Sequence, residues 1–88
     1  MEFRWIEWNV LKCEKHNVTP EEAEFVVENA RRPYPRKIED EKILVHGQTA
    51  GGRYLQVIYL IDEDDVNFII HAMPLNRRRK QLFRGSQP

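Results

Sequence analysis

The sequence predicts an α+β domain, in which two N-terminal helices and one C-terminal helix pack on a small, mostly antiparallel sheet. That sheet combines a short N-terminal strand with a three-stranded meander. Three observations carry the prediction. A capping threonine followed by proline opens an amphipathic helix near residue 20, three strand-like runs between residues 41 and 72 are joined by short glycine-rich or acidic links, and a proline-to-asparagine break precedes a final basic helix. At 88 residues the chain is expected to form one domain, residues 1–88, with a single core.

Phe3 to Trp8 is rich in aromatic and β-branched residues, which favours a strand. Asn9 is placed to cap a helix over Val10–His16, which Asn17 ends in the left-handed conformation. Thr19-Pro20-Glu21-Glu22 then supplies a capping hydroxyl, a proline at the first helical position and a glutamate three residues after the cap, the signature of a capping box. Ala23, Val26, Val27 and Ala30 follow at helical spacing, so one face is buried and Glu21, Glu22, Glu24 and Glu28 face water. Pro33 and Pro35 stop this helix. Beyond them the period shortens. Glu41–Gly47 reads as a strand, Gln48–Gly52 as a glycine-rich connection, Arg53–Ile61 as a long strand, Asp62–Asp65 as an acidic turn and Val66–Ala72 as a third strand. Leu55, Val57, Tyr59 and Ile61 alternate with Tyr54, Ile58 and Leu60, so the long strand should be central and covered on both faces. Pro74 breaks the last strand, Asn76 caps a final helix with Leu82 and Phe83 as its apolar contacts, and Gly85 releases the chain.

Composition excludes several classes of function. The apolar fraction of 41% and charged fraction of 32% suit a globular domain rather than a disordered one. The longest apolar run, Val57–Ile61, is far short of the ~20 residues a membrane span needs, and the N-terminus lacks the basic and apolar regions of a secretory signal. The lone cysteine, Cys13, makes no internal disulfide, and no Cys/His cluster has zinc spacing. The expectation is a cytoplasmic protein without metal, cofactor or membrane contact. Its zero formal net charge hides a dipole. Residues 1–30 hold seven acids and three bases, whereas residues 76–88 hold five bases and no acid. Such a cationic end suits a polyanion or an acidic partner, with a solvated basic tail as the alternative.

Three separated blocks resemble a known family. Trp8-Asn9 with Lys15-His16-Asn17-Val18-Thr19-Pro20-Glu21-Glu22-Ala23 forms the first, and Gly47-Gln48-Thr49 with Gly52-Arg53-Tyr54-Leu55 and the strand through Tyr59 forms the second. Ile69-Ile70-His71-Ala72 is the third. In residue type and spacing they are similar to the BrnT-type toxins of the RelE-like superfamily, over about residues 5–84. The resemblance implies a RelE-like fold and a bacterial type II toxin: a metal-independent ribonuclease that cuts messenger RNA and is held inactive in a hetero-oligomer with a cognate antitoxin protein. It also implies an arginine directly after the His-Ala pair, a glutamate followed by a basic residue at the start of the last helix, and a tyrosine or phenylalanine soon after. This chain departs from that pattern at two places, with Met73 at the arginine position and Arg79 at the glutamate position, while Phe83 supplies the aromatic without a phenol. Two readings follow: a BrnT-like ribonuclease weakened by these departures, and a non-catalytic RelE-like module that binds RNA or a protein partner.

Metal-free RNA cleavage needs a base for the ribose 2′-hydroxyl, cations around the phosphorane and an acid for the leaving oxygen. Few residues can supply them. His71 on the third meander strand and His46 on the first are of the type that titrates near neutrality. With Arg53 at the start of the central strand and Arg79 in the last helix, they make up the candidate catalytic set. Arg77, Arg78, Lys80 and Arg84 are candidate RNA-binding residues, and Tyr34, set between two prolines, is the aromatic expected at the surface. Cations in the first turn of a helix oppose its dipole at roughly 0.3–1 kcal/mol each, so a phosphate site there would account for them. Exposure to solvent, or pairing with the Asp62–Asp65 turn or the acidic helix, is the alternative. His16 fits a helix C-terminal cap better than a base, Trp5 and Trp8 fit core anchors, and Cys13 fits inert packing.

Overall fold

The computed structural model describes residues 1–87. Its elements run β1 (Phe3–Arg4), α1 (Glu7–Glu14), α2 (Pro20–Glu28), β2 (Arg36–Lys37), β3 (Ile43–Gln48), β4 (Tyr54–Ile61), β5 (Asn67–Pro74) and α3 (Arg77–Ser86). The strands form one sheet in the order β1-β5-β4-β3-β2. All neighbours are antiparallel except β1, which pairs in parallel with β5 through Phe3 with Asn67 and Arg4 with Phe68. The α+β class, the two N-terminal helices, the meander and the C-terminal helix are as the sequence predicts. Among the described residues, no helix is long and apolar enough to cross a membrane.

Helix α1 begins at Glu7 rather than Val10, so Trp8 is helical and not part of the first strand. The cause is the way Asn9 acts. Its side chain caps from inside the first turn: Oδ1 accepts from the Ile6 N–H at 2.7 Å, and Nδ2 donates to the Arg4 carbonyl at 2.9 Å. Asn9 is fully buried, and these two bonds offset the cost of removing its amide from water. Asn17 ends the helical turn in the left-handed region, at φ 57°. Helix α2 forms as its capping box dictates, with Thr19 Oγ1 accepting from the Glu22 N–H at 3.1 Å and Glu22 Oε1 accepting from the Thr19 N–H at 3.0 Å. Ala23, Val26 and Val27 of α2 and Cys13 of α1 join Val45, Leu55, Val57 and Ile69 in one core on one face of the sheet. Gly47 permits the close approach of α2 to β3, since a Cβ there would meet Val26 Cγ1 at 3.2 Å. Glu24, expected in water, is half-buried and accepts from Trp5 Nε1 at 2.6 Å.

Three further expectations are corrected. Asp40 and Glu41 take φ of 54° and 62°, a tight turn closed by the Lys42 N–H on the Glu39 carbonyl at 3.1 Å. Positive φ at both central residues marks a hairpin, so β3 starts at Ile43 and a short strand, β2, lies beside it. The long strand is fully covered on one face only. Leu55, Val57 and Tyr59 are buried, but Ile61 is 54% exposed and the residues between are half-buried. Leu82 does not pack, being 65% exposed. Phe83 alone seats α3, against the rings of Tyr34 and Tyr54.

Arg53 ties α2 to β4. Its Nη1 donates to both Glu22 oxygens, at 3.1 and 3.0 Å, and to the Asn17 carbonyl at 2.8 Å. The Thr19 N–H, with the Arg53 guanidinium behind it, holds the Glu22 carboxyl below its ordinary value of 4.5. A depressed carboxylate stabilises the fold above its unfolded pKa, and that contribution is lost as pH falls through the folded pKa. Arg53→Met is therefore expected to cost about 1 kcal/mol, the upper range for a part-exposed pair, and to make acid unfolding below about pH 4.5 shallower. Urea unfolding as a function of pH reads both. Asn9→Ala is expected to cost about 1–3 kcal/mol, because it strands two backbone groups.

Candidate nucleic-acid interface

Register sets His46, Gln56 and Met73 side by side across β3, β4 and β5, with Leu44, Ile58 and His71 in the next row. This is the face that α2 does not cover. His46 Nε2 lies 3.0 Å from Gln56 Oε1, and His46 Nδ1 lies 3.2 Å from the Tyr34 hydroxyl. An amide oxygen only accepts, so these partners assign the proton to Nε2 and make the Tyr34 hydroxyl the donor to Nδ1. Both ring nitrogens are engaged. Burial pushes the His46 pKa below its ordinary value of 6.5; the Gln56 bond opposes this, and the charges of Arg79 and Arg36 add to it. Tyr34, expected at the surface, is half-buried, its ring 5.2 Å from His46 and 6.1 Å from Phe83.

His71 is differently placed. Its ring meets that of His16, at the end of α1, edge-on at 6.0 Å between centroids. Trp8, two turns earlier on α1, stacks on Phe68 of β5 at 6.0 Å, so the helix runs along that strand and carries Lys12 and His16 toward His71. Burial lowers the His71 pKa, and His16, Lys12 and Arg79 lower it further. Unlike His46, its ring makes no side-chain hydrogen bond among the described residues. Arg79 thus bears on both histidines. Arg53 does not join them, because Glu22 and the Asn17 carbonyl hold its guanidinium. The candidate catalytic set therefore divides into Arg79 with His71 and His46 on one side and a structural arginine on the other.

Helix α3 brings the remaining cations to the same corner. Asn76 caps it as expected, accepting from the Arg79 N–H at 2.8 Å, and the Lys80 ammonium lies 4.7 Å from the centre of the Tyr54 ring. Arg77, Arg78, Arg79 and Arg84 are exposed and make no ion pair among the described residues. Four carboxylates are paired with cations of other elements: Asp62 and Asp64 with Arg4, Glu22 with Arg53, and Glu41 with Lys37. Two hollows share His46 and Phe83 as walls. One, of about 500 Å³, includes Arg31 and Arg84 in its lining, and the other, of about 360 Å³, includes Arg36 and Arg79. Neither lining contains an acidic residue.

Sequence reasoning missed Arg31, Arg36 and Gln56. The first two flank the helix-stopping prolines, a stretch in which the sequence singles out only Tyr34 as a site residue. Tyr34 packing on Phe83 and a bond from Gln87 Nε2 to the Arg32 carbonyl at 3.1 Å bring that segment against α3. A signal existed in the three arginines flanking Tyr34. Among the described residues, no group of three His, Cys, Asp or Glu side chains is arranged to hold a metal ion. Comparison of the chain with protein-family models, with curated proteins and with solved structures finds no match.

Both histidines are held below 6.5 by folding, so the unfolded chain binds protons first on acidification. Their contribution to stability is complete above about pH 6.5 and is lost as pH falls through the folded values. The urea midpoint is expected to drop accordingly, and to drop less in a His46→Gln, His71→Gln variant. Tyr34→Phe removes the donor to His46 Nδ1 and is expected to raise the pKa of that ring, read by NMR titration. An unmoved value would mean that the phenol is not the donor.

Proposed function

We propose that the chain is a BrnT-like, RelE-like toxin module acting in the cytoplasm, which binds single-stranded RNA at the α3 corner and cleaves it without metal. One observation carries the reading: arginines of α3 and of the 31–36 segment line two hollows free of carboxylates, and the α3 arginines make no ion pair among the described residues. An uncompensated cationic corner of this kind favours a polyanion.

Cleavage follows from the side chains at hand. His71, kept neutral by its surroundings, takes the proton of the ribose 2′-hydroxyl as that oxygen attacks phosphorus. Arg79 stabilises the charge on the phosphorane, and its guanidinium stands in for the arginine that Met73 replaces. The bond from phosphorus to the 5′ oxygen breaks, and the leaving oxygen takes a proton, for which His16, edge-on to His71, is the side chain at hand. The products are a 2′,3′-cyclic phosphate and a 5′-hydroxyl. His46, engaged at both nitrogens, positions Tyr34 and Gln56. A cognate antitoxin would inhibit by laying an acidic segment over the same arginines.

The absence of an arginine at Met73 and of a glutamate at Arg79 favours the second reading, a non-catalytic module that binds RNA or a protein partner. Labelled single-stranded RNA incubated with the purified chain and a chelator separates the two. Cleavage is expected, with cyclic-phosphate ends, and His71→Ala is expected to slow it by about 10²-fold or more. Binding without cleavage selects the RNA-binding form of the second reading, and neither binding nor cleavage overturns the first reading and leaves only the protein-binding form of the second. Replacing Arg77, Arg78 and Arg79 together by Gln should flatten the salt dependence of binding by about 0.7 per lost phosphate contact.

A further inference from the structure

We infer that the hollow of about 500 Å³ between the end of α2, β3 and α3 seats one unstacked nucleotide of the bound RNA, with its base on Phe25 and a preference for bases that carry an exocyclic amine. The inference rests on the RNA-directed reading above and adds to it a recognition subsite with its own chemistry. Its size lies within the roughly 300–1,000 Å³ typical of small-ligand sites.

Phe25 is the first observation. It lies off the buried stripe of α2, is 36% exposed and forms part of the wall of the hollow. No aromatic ring stacks on it among the described residues, whereas the other rings of the lining are already in use. Tyr54 has the Lys80 ammonium over its ring and Phe83 edge-on to it, and His46 packs on Tyr34. An exposed phenyl beside cations is the combination that single-strand binders use, since every base offers a face to stack and every phosphate a charge to pair. Arg31 and Arg84 supply the charge.

The second observation is the polarity of the lining. Gln87 Oε1 is buried and has no hydrogen-bond partner, while its Nε2 donates to the Arg32 carbonyl. Gln48 and Asn29, also in the lining, each donate one amide N–H to a carbonyl, of Gly52 and Phe25, at 3.2 and 2.8 Å. Each of the three amides keeps one N–H, but among the described residues no donor reaches any of their oxygens, and that of Gln87 is buried. A buried acceptor without a donor is costly, so the ligand that fits brings N–H groups. The exocyclic amines of adenine, cytosine and guanine do so, whereas uracil offers a single ring N–H between two acceptors of its own.

The test uses the whole chain and short oligoribonucleotides. Oligocytidylate and oligoadenylate are expected to bind more tightly than oligouridylate, with shifts of the Gly47, Gln48 and Thr49 amides in NMR spectra. Phe25→Ala should weaken binding by about 5-fold or more, the lower end of what one base–aromatic stack contributes, at an unchanged salt slope. Phe25→Trp should retain binding, which separates loss of the stack from loss of the fold. Arg84→Gln should instead reduce the salt slope. Equal affinity for oligouridylate, or tight binding by Phe25→Ala, overturns the subsite. If the wild-type chain still binds or cuts RNA in that case, the broader functional reading survives; if it neither binds nor cuts, both fall.

Discussion

Phe83 is the one buried side chain of α3, and the basic corner exists because that ring is held between Tyr34 and Tyr54. Burying a phenylalanine stabilises by about 1.5–3 kcal/mol, and the Asn76 cap adds about 1 kcal/mol. Against these, three arginines in the first turn oppose the helix dipole at roughly 0.3–1 kcal/mol each. The opposing terms are of similar size. Helix α3 is therefore held by tertiary contact rather than by its own propensity, and the positions of Arg79, Lys80 and Arg84 all depend on one aromatic wedge.

The same corner depends on where the topology sends the acids. Formal charge sums to zero over the chain, yet residues 76–88 hold no acid, and four carboxylates are paired with cations outside α3. The parallel β1–β5 pairing sets Arg4 next to the Asp62–Asp65 turn, where it meets two carboxylates at 2.8 and 3.0 Å. The capping box of α2 turns Glu22 toward Arg53. Each pair is modest in energy, being part-exposed. Their joint effect is on the field: these carboxylates are compensated by Arg4 and Arg53, while the arginines of α3 make no ion pair among the described residues.

What the sequence reveals is what depends on neighbours in the chain. The Thr19-Pro20-Glu22 box, the left-handed Asn17 and the Asn76 cap are local, and each lies where residue type and spacing put it. Asn9 misled because the same side chain can cap from the N-cap or from N3, and only the Arg4 carbonyl, brought back by the β1–β5 pairing, chooses between them. Strand β2 is two residues long and exists only through Leu44 and Ile43 on its partner. Arg53 looks catalytic until Glu22, 31 positions away, takes its guanidinium. His46 and His71 looked alike in sequence. What separates them is that one meets Tyr34 and Gln56 while the other faces His16, and no local pattern encodes either meeting.

The first-turn arginines connect these points. A helix that begins with Arg77, Arg78 and Arg79 carries positive charge where its free backbone donors are already positive, so it is less stable alone than with an anion present. A polyanion that engages those guanidiniums relieves their repulsion and strengthens the helix in one step. Anything that binds the ordered helix in preference to a frayed one stabilises it by linkage. Phe83 packs on Tyr34, and Tyr34 bonds His46, so a line of direct contacts joins α3 to the uncovered sheet face. The helix start thus carries a cost in stability that a bound anion would relieve, at the one element whose buried ring rests on the His46 side of the sheet.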